Sequence, residues 1–434
     1  MMIWDPYYEC MDLGQRRELQ LRRLRDMLAR LAVNVPWYAA KFAEIGFHAE
    51  DLKTLDDLAR LPFTSKLDLR DNYPLGLLAC PQSDVVRVHA SSGTTGRPIV
   101  AGYTAEDINI WAETIARTLC CGGATRHDIL HVSYGYGLFT GGLGLHYGGE
   151  RLGCMVIPMS SGNTERQLMM MRDLGSTVLA CTPSYALTLA DEMVAQGLSA
   201  DDLSLRSGLF GAEPWSESSR EAVEQMLGLS AHDIYGLTEI IGPGVAGECE
   251  CQGMMHIYDD HFYPEIINPA TEQPLPPGEK GELVFTCLTK RAFPLLRYRT
   301  RDLSALHYEK CECGRTHVRM ERITGRTDDM LIIRGINVFP SQIEEVLGRV
   351  EAVAPHYQLV VTREGRLDQL EVKVEVSPQV FSDTVRGLEH IQKEIADKLH
   401  SVLNLRARVT LVEPKSIERS LGKAKRVLDL REGN

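Results

Sequence analysis

The chain has 434 residues, of which 44% are hydrophobic and 24% are charged, and this length and composition fit a globular protein of two or three domains. A net charge of −12 at pH 7 argues against nucleic acid as a partner, because a phosphate backbone would be repelled. The sequence has no apolar run near the roughly 18 residues that span a bilayer and no signal-peptide core near its start, so we expect a cytoplasmic protein without a membrane partner.

Residues 15–31 are predicted to form an amphipathic helix with many basic positions. Its apolar stripe consists of Leu19, Leu21, Leu24, Met27, Leu28 and Leu31. The helix can pack either on its own domain or on a second subunit. A homodimer is the expected assembly, because two-fold assemblies are the commonest.

The segment 89–98 contains two glycines, four hydroxyl side chains and one guanidinium. Glycine lets the backbone bring several N–H groups to one anion, and hydroxyls and a cation add further donors. The segment therefore predicts a polyphosphate-binding loop, although it lacks the Gly-Lys-Ser/Thr ending of a Walker A loop. An ordinary hydrophilic turn is the alternative.

Short β-like runs then alternate with helical stretches. The runs include 129–133, 155–158 and 178–181, and the helices include 104–118 and 164–174. This alternation predicts α/β layers with a parallel sheet.

The character of the chain changes near residue 328. A polar joint at 325–329 precedes an apolar run at 330–333. The elements predicted after it are a helix at 341–347, a hairpin of 357–362 and 370–376, a helix at 385–403 and a strand at 408–412. We therefore expect a large multi-layered N-terminal α/β domain, residues 1–327, and a small mobile C-terminal α+β domain, residues 328–434.

Six further segments follow the 89–98 loop in a fixed order. They are Phe-Gly-Ala-Glu-Pro at 210–214, Tyr-Gly-Leu-Thr-Glu at 235–239, Arg-Tyr-Arg-Thr-Arg-Asp at 297–302, Gly-Arg-Thr-Asp-Asp at 325–329, Arg-Gly-Ile-Asn-Val-Phe-Pro-Ser-Gln-Ile-Glu at 334–344 and Gly-Lys-Ala-Lys-Arg at 422–426. With these motifs the chain resembles the adenylate-forming acyl-CoA synthetase superfamily. Segments 134–140, 260–267 and 337–341 make it similar to the phenylacetate–CoA ligases within that superfamily, and the resemblance covers nearly the whole chain.

The resemblance implies an enzyme that uses ATP, Mg²⁺ and coenzyme A to activate an aryl acid. In the first step the carboxylate of an arylacetate attacks the α-phosphorus of MgATP, which gives an acyl-adenylate and pyrophosphate. In the second step the thiol of coenzyme A attacks the mixed anhydride and releases the thioester and AMP. A carboxylate is a weak nucleophile near a polyanion, so cations and backbone donors must screen the charge and hold the geometry.

The resemblance also implies a set of nucleotide-binding residues. The set comprises Ser91, Ser92, Gly93, Thr94, Thr95, Gly211, Ala212, Glu213, Pro214, Asp233, Ile234, Tyr235, Gly236, Thr238, Asp302 and Arg326. In this scheme Tyr235 lies against the adenine ring and Asp302 accepts hydrogen bonds from the ribose hydroxyls. Arg301 stands where many superfamily members carry glycine, and we interpret it as a marker of the phenylacetate branch.

Two residues are implied as catalytic. Glu239 corresponds to the magnesium carboxylate, and Lys423 corresponds to the lysine that reaches the α-phosphate and the substrate carboxylate. A point charge on a flexible stem suits the second task, because it can follow the moving oxygen. The alternatives are an exposed glutamate that begins a helix and a solvated basic tail.

The resemblance assigns two further roles to the C-terminal part of the chain. Asp328 corresponds to the hinge about which the small domain swings between adenylation and thioesterification. Arg334, Gly335, Ile336 and Asn337 correspond to the segment that meets coenzyme A. A plain inter-domain linker is the alternative for Asp328.

An acyl pocket is predicted in the glycine-rich segment 134–142. The residues that we expect to line it are Tyr134, Tyr136, Phe139, Thr140 and Gly141. Aromatic walls around a glycine-floored slot suit a phenyl ring through edge-to-face contacts. The alternative is that these aromatic residues belong to the hydrophobic core.

The chain has 11 cysteines, which suggests free thiols or metal ligands in a reducing compartment. Cys249, His256, Cys311 and Cys313 form a plausible tetrahedral sulfur–nitrogen set for a structural Zn²⁺, with Cys251 as a substitute ligand. Four protein ligands leave no open position for chemistry. Free buried thiols beside a surface histidine are the alternative.

Other functions compete with an arylacetate–CoA ligase. A stand-alone adenylation enzyme that loads a carrier protein would use the same first step, and a non-catalytic ligand sensor could share the fold. Indoleacetate, hydroxyphenylacetate and benzoate compete with phenylacetate as the acid, since they differ by contacts worth about 1–3 kcal/mol per group.

Overall fold

The computed structural model describes residues 2–91, 98–334, 336–350, 352–364, 367–376, 385–419 and 426–431. The α-helices in these ranges are α1 (Pro6–Glu9), α2 (Leu13–Asn34), α3 (Pro36–Glu44), α4 (Lys66–Asp71), α5 (Ala105–Cys121), α6 (Thr140–Leu152), α7 (Thr164–Leu174), α8 (Pro183–Ala195), α9 (Glu217–Leu227), α10 (Pro340–Leu347) and α11 (Val385–Leu403). None of these described helices has the length and apolar character needed to cross a bilayer.

The strands fall into a long N-terminal series and a short C-terminal series. The first series is β1 (Val85–Ala90), β2 (Val100–Thr104), β3 (Ile129–Val132), β4 (Met155–Ile157), β5 (Val178–Cys181), β6 (Ser207–Gly211), β7 (Ser230–Leu237), β8 (Gly242–Glu248), β9 (Met254–Ile257), β10 (Phe262–Ile267), β11 (Gly281–Cys287), β12 (Tyr298–Ser304), β13 (Leu306–His307) and β14 (Arg319–Glu321). The second is β15 (Leu331–Ile333), β16 (Ile336–Val338), β17 (Val353–Glu364), β18 (Leu367–Val376), β19 (Arg408–Val412) and β20 (Val427–Asp429).

The central sheet has nine strands in the order β13-β14-β9-β8-β7-β6-β5-β3-β4. The strands β4, β3, β5, β6 and β7 are parallel, as the alternation of strands and helices predicts. The prediction of a parallel sheet is wrong for the other half, where β8, β9, β14 and β13 pair antiparallel. The short connection between β7 and β8 has no crossover helix, so β8 can only return antiparallel beside β7.

Helices α5 and α6 pack together over the sheet at very short range. Helix α5 begins with a capping box between Thr104 and Asp107, and it buries Trp111 and Ile115. Helix α6 meets it through glycine, because a Cβ on Gly148 would lie 1.9 Å from Cγ2 of Ile115. The glycines of α6 therefore allow the close approach of the two helices.

Helix α2 packs on its own domain, which is one of the two positions expected for it. The side chain of Arg16 pairs with Asp259, and Gln20 donates a hydrogen bond of 2.8 Å to the backbone oxygen of the same aspartate. The predicted stripe is buried, apart from Leu21, which is partly buried. These contacts join the start of the chain to the loop between β9 and β10.

A separate hydrophobic core forms after residue 330. The sheet has the order β19-β18-β17-β20, and α10 and α11 cover it. The predicted bounds of α11 and β19 are confirmed, whereas the hairpin strands are longer than predicted, at Val353–Glu364 and Leu367–Val376. The chain thus has the predicted fold class, a large α/β part and a small α+β part.

Candidate active site

The predicted site segments meet at one edge of the central sheet. Segment 134–141 follows β3, segment 211–214 follows β6, and segment 235–239 follows from the end of β7. Because these strands are parallel, their carboxyl ends lie at the same edge, which is where ligands bind in open α/β sheets. The topology therefore brings the predicted adenine and acyl segments close together.

The turn after β6 has little freedom. A Cβ on Gly211 would lie 2.2 Å from the backbone oxygen of Ile234, so only glycine fits there. Ala212 has a φ of 72°, which is the left-handed region. The carboxylate of Glu213 accepts a hydrogen bond of 2.7 Å from the backbone N–H of Ser184. This bond directs the Glu213 side chain toward the start of α8. The backbone of Glu213 is therefore the part that can contribute to the predicted adenine wall.

Tyr235, Asp302 and Arg326 are in direct contact. The Tyr235 hydroxyl donates a hydrogen bond of 2.6 Å to one carboxylate oxygen of Asp302, and Arg326 donates one of 2.7 Å to the other. Burial and the adjacent Asp302 carboxylate raise the pKa of Tyr235 well above its ordinary value. Asp302, the residue implied for the ribose, is thus joined both to Tyr235, the residue implied for adenine, and to Arg326.

Asp233 lies on β7, two residues before Tyr235. Its carboxylate is 3.6 Å from Nε of Arg322, and its backbone N–H donates a hydrogen bond of 2.8 Å to Glu248. Burial raises the pKa of Asp233 to about 7. The neighbouring Ile234 and the ring of Tyr235 are buried.

Glu239 ends segment 235–239 and is mostly buried. The backbone turns sharply here, since the N–H groups of Ile240 and Ile241 both donate to the oxygen of Leu237. Thr238 in this segment lies 3.4 Å from Thr140 of the predicted acyl segment, measured between the two hydroxyl oxygens. The nucleotide and acyl segments therefore touch at this point.

Two aromatic residues of segment 134–141, Tyr134 and Phe139, lie against Gly141, and Tyr136 lies beside Gly142. A Cβ on Gly141 would lie 2.6 Å from Cε1 of Phe139 and 3.1 Å from Cδ1 of Tyr134. Tyr134 is buried, while Tyr136 and Phe139 are partly buried. The Tyr136 hydroxyl lies 3.3 Å from Nδ1 of His146. Tyr134 and Phe139 thus pack against Gly141, and any larger side chain at this position would displace their rings.

The small domain contacts the large one partly through Glu344 and His356, to which the sequence analysis gave no role. One carboxylate oxygen of Glu344 accepts hydrogen bonds of 3.2 Å from the Ser216 N–H and the Ser219 hydroxyl, at the start of α9. His356 lies 3.2 Å from Asp191. The proposed hinge residue Asp328 pairs with Arg326. Ser216 lies two residues after the adenine segment, so α10 contacts the chain close to that segment.

Part of the predicted set cannot be placed. Ser92, Gly93, Thr94, Thr95, Gly335 and Lys423 lie outside the described residues, as does the side chain of Asn337. Ser91 is described, and its hydroxyl accepts a hydrogen bond of 3.1 Å from the Ile99 N–H. In the predicted coenzyme A segment, Arg334 binds Gln369 and the Asp368 carbonyl within the small domain, and Ile336 lies in β16.

The four predicted metal ligands converge. All the ligand atoms of Cys249, His256, Cys311 and Cys313 lie within 4.8 Å of one another, and all four residues are buried. The loops that carry them turn at Gly253 and Gly314, with φ values of 87° and 94°. The predicted substitute, Cys251, is exposed.

The separations within this cluster fit a tetrahedral zinc site. The two Sγ atoms of Cys249 and Cys311 are 3.8 Å apart, and Sγ of Cys313 is 3.5 Å from Nε2 of His256. Ordinary zinc bond lengths give edges of about 3.8 Å between two sulfurs and about 3.5 Å between sulfur and nitrogen. Hydrogen bonding from the His256 imidazole lowers the pKa of the Cys311 thiol, and zinc binds the thiolate form.

Comparison with known families agrees with this geometry. Residues 41–286 match the AMP-binding enzyme family, and residues 335–431 match the AMP-binding enzyme C-terminal domain. The phenylacetate–coenzyme A ligase of Thermus thermophilus is 51% identical, with 99% of this chain and 100% of that protein covered. The phenylacetate–coenzyme A ligase of Pseudomonas putida is also 51% identical, with coverage of 99% and 97%.

Solved structures of one ligase give similar folds in two states. The 2-hydroxyisobutyryl-CoA ligase in its post-adenylation state, in complex with R3-HIB-AMP, has a TM-score of 0.93 at 30% identity, over 98% of this chain and 92% of that one. The same ligase in its thioesterification state has a TM-score of 0.73 at 31% identity, over 99% and 93%. The two parts of the present chain are thus arranged as in the post-adenylation state of that ligase.

Proposed function

The chain belongs to the phenylacetate–coenzyme A ligase family of AMP-binding enzymes, and from this premise we propose that it converts phenylacetate, ATP and coenzyme A to phenylacetyl-CoA, AMP and pyrophosphate. The observation that carries the proposal is the junction of the aromatic segment 134–141 with the nucleotide segment 235–239. The two segments meet at Thr140 and Thr238. An aryl acid held in the first segment would present its carboxylate to an ATP held by the second.

The adenylation step needs ATP fixed at both ends. Asp302 would accept hydrogen bonds from the ribose hydroxyls, and Tyr235 would lie against adenine beside the backbone of residues 211–214. Ser91 and the residues up to Thr95 would hold the phosphates. Lys423 would place its ammonium at the α-phosphate and the substrate carboxylate, where negative charge develops. These residues supply the binding and orientation of the reacting groups.

Glu239 is the residue that we assign to Mg²⁺. Its carboxylate fits this role, because it is mostly buried at the meeting point of the two segments, and Mg²⁺ needs only one or two carboxylates besides phosphate oxygens. The bound ion would screen the negative charge of the phosphates. Glu239 itself would orient the triphosphate relative to the acid.

We assign the thioesterification step to a second arrangement of the small domain, which begins at residue 328. Asp328 would serve as the hinge, and Arg334, Gly335, Ile336 and Asn337 would come to face coenzyme A. The difference in TM-score between the two states of the 2-hydroxyisobutyryl-CoA ligase, 0.93 against 0.73, supports a movement of this kind. Such a hinge needs only a few residues that absorb the change of dihedral angle.

We further propose that Cys249, His256, Cys311 and Cys313 hold a structural Zn²⁺. Four protein ligands would complete its coordination, so the ion would stabilise the fold and take no part in the reaction. The site joins the end of β8, strand β9 and the loop that precedes β14. A homodimer and a cytoplasmic location stay predictions, and light scattering of the purified protein tests the first of them.

The test of the function is product analysis with a panel of acids. Incubation with MgATP, coenzyme A and phenylacetate should yield the acyl-CoA, AMP and pyrophosphate in equal amounts, measured by liquid chromatography and mass spectrometry. Indoleacetate, hydroxyphenylacetate and benzoate should react with lower kcat/KM. Pyrophosphate release without any acyl-CoA would favour the loading of a carrier protein instead.

A further inference from the structure

Lys290 is a buried lysine that none of the roles above uses. Its side chain lies in the segment between β11 and β12, and it is 1% exposed. The ammonium donates a hydrogen bond of 2.7 Å to the backbone oxygen of Ile240 and lies 3.5 Å from that of Glu239. It also lies 4.5 Å from the ring centroid of Tyr103, which is a cation–π contact. The charge therefore faces the turn that carries Glu239.

A charge in this place has a cost. An apolar side chain of similar length would fill the same space without the loss of hydration that a buried ammonium suffers. Burial lowers the pKa of Lys290 below its ordinary value. The negative charges of Cys287, Asp107 and Glu239 raise this pKa but do not cancel the effect of burial. The protein thus places a costly cation against the backbone carbonyl groups of Glu239 and Ile240.

The backbone of Lys290 is fixed from two sides. Arg30 of α2 donates a hydrogen bond of 2.8 Å to the backbone oxygen of Lys290. Asp107 of α5 accepts hydrogen bonds of 2.6 and 2.9 Å from the backbone N–H groups of Arg291 and Ala292. The backbone that carries the Lys290 side chain is therefore held in place by α2 and α5.

Two aromatic side chains hold the rest of the same turn. The Tyr103 hydroxyl donates a hydrogen bond of 3.1 Å to the backbone oxygen of Ile241, and Nε1 of Trp111 donates one of 2.8 Å to that of Pro243. The two rings stack with their centroids 5.3 Å apart. Together with Lys290, they fix the backbone that follows Glu239.

We infer that Lys290 is a positioning residue for Glu239: its ammonium holds the backbone of the turn so that the Glu239 carboxylate is presented to the cation of the ATP complex. This inference rests on the proposed function, in which Glu239 holds Mg²⁺. It predicts that Lys290 acts through Glu239, whereas a residue that only stabilises the fold would act independently of it. A double-mutant cycle separates the two cases.

The experiment measures acid-dependent pyrophosphate release in Lys290→Met, Glu239→Gln and the double variant. Lys290→Met should lower kcat/KM for MgATP by roughly 10- to 100-fold in the wild-type background, and by less than about threefold in the Glu239→Gln background. Arg16→Met is the control, because Arg16 is another buried cation, paired with Asp259. Its effect should be the same in both backgrounds. Equal effects of Lys290→Met in the two backgrounds would overturn the inference.

A second readout does not depend on turnover. Mn²⁺ binding in the presence of ATP, followed by electron paramagnetic resonance, should weaken about tenfold in Lys290→Met and in Glu239→Gln, and stay unchanged in Arg16→Met. Tyr103→Phe, which removes only the hydroxyl that binds Ile241, should weaken it in the same direction and serves if Lys290→Met does not fold. Unchanged Mn²⁺ binding in these Lys290 and Tyr103 variants would overturn the inference. Loss of binding in them, with no turnover of arylacetates by the wild type, would refute the proposed function alone.

Discussion

The guanidinium of Arg326, two residues before the junction between the two parts of the chain, donates a hydrogen bond of 2.7 Å to the carboxylate of Asp302. The same guanidinium donates bonds of 2.9 and 3.0 Å to the carboxylate of Asp328. A single arginine therefore joins the proposed ribose site to the proposed hinge. We therefore expect occupation of the proposed nucleotide site and the position of the small domain to be linked through Arg326.

Asp302→Asn should weaken ATP binding, because the amide replaces an anionic acceptor at the proposed ribose site. Hydrogen bonds to charged groups contribute about 1.5–3 kcal/mol, so kcat/KM for ATP should fall by roughly 10- to 100-fold. Initial-rate kinetics with ATP as the varied substrate measure this. The control is Asp329→Asn, since Asp329 contacts the same arginine at 3.4 Å from an exposed position. An unchanged kcat/KM for ATP in Asp302→Asn would contradict the ribose assignment.

Gly141→Val should impair use of the aryl acid while it leaves ATP use nearly unchanged. The new side chain would displace the rings of Phe139 and Tyr134, because even a Cβ at this position would lie 2.6 Å from Cε1 of Phe139. We expect kcat/KM for phenylacetate to fall at least about tenfold, and smaller acids to be affected less. Leu138→Ala, at an exposed neighbouring position, is the matched control. A loss confined to ATP kinetics would show that Gly141 does not face the acid.

Cys313→Ser should abolish zinc binding, whereas Cys251→Ser should not. The first change removes one of four converging ligands, and the second removes an exposed thiol outside that group. Metal analysis should find about one zinc per chain in the wild type and in Cys251→Ser. The melting temperature of Cys313→Ser should fall by at least about 5 °C. Wild-type protein purified with zinc supply but free of zinc would refute the site.

Glu344→Gln should slow adenylation more than thioesterification. Glu344 binds Ser216 and Ser219 in the present arrangement of the two domains, and we expect this contact to stabilise that arrangement over the proposed thioesterification arrangement. Loss of the charge should slow acyl-adenylate formation by about three- to tenfold in rapid-quench experiments. Glu345→Gln is the control, because Glu345 pairs with Arg349 one turn away on the same helix and, among the described residues, has no other ion pair. Equal slowing of both half-reactions would argue against a state-specific contact.

The sequence predicted those parts of the fold that local periodicity and ordered motifs determine. The bounds of α7, α11 and β19 agree with the structure, because each has a clear apolar pattern between polar or glycine-containing ends. The antiparallel half of the main sheet was not predicted. Its strands follow short turns instead of crossover helices, and strand periodicity does not reveal the direction of pairing.

In the candidate site, too, the residues that lie in motifs were predicted and a residue that depends on long-range packing was not. The motifs selected Tyr235, Asp302 and Arg326, which the fold brings into contact from three separate segments. Lys290 was missed, because a lysine beside an arginine is typical of an exposed turn. Its burial depends on the packing of α2 and α5 around that turn, which no local pattern encodes.

The most direct test of the proposed reaction is exchange of labelled pyrophosphate into ATP without coenzyme A. This exchange reports the reversible formation of an acyl-adenylate. We predict that the wild type catalyses the exchange only when phenylacetate is present, and that Lys423→Ala reduces it at least about 100-fold. A folded wild-type protein that shows no exchange with any arylacetate, or an exchange that Lys423→Ala leaves intact, would contradict the account.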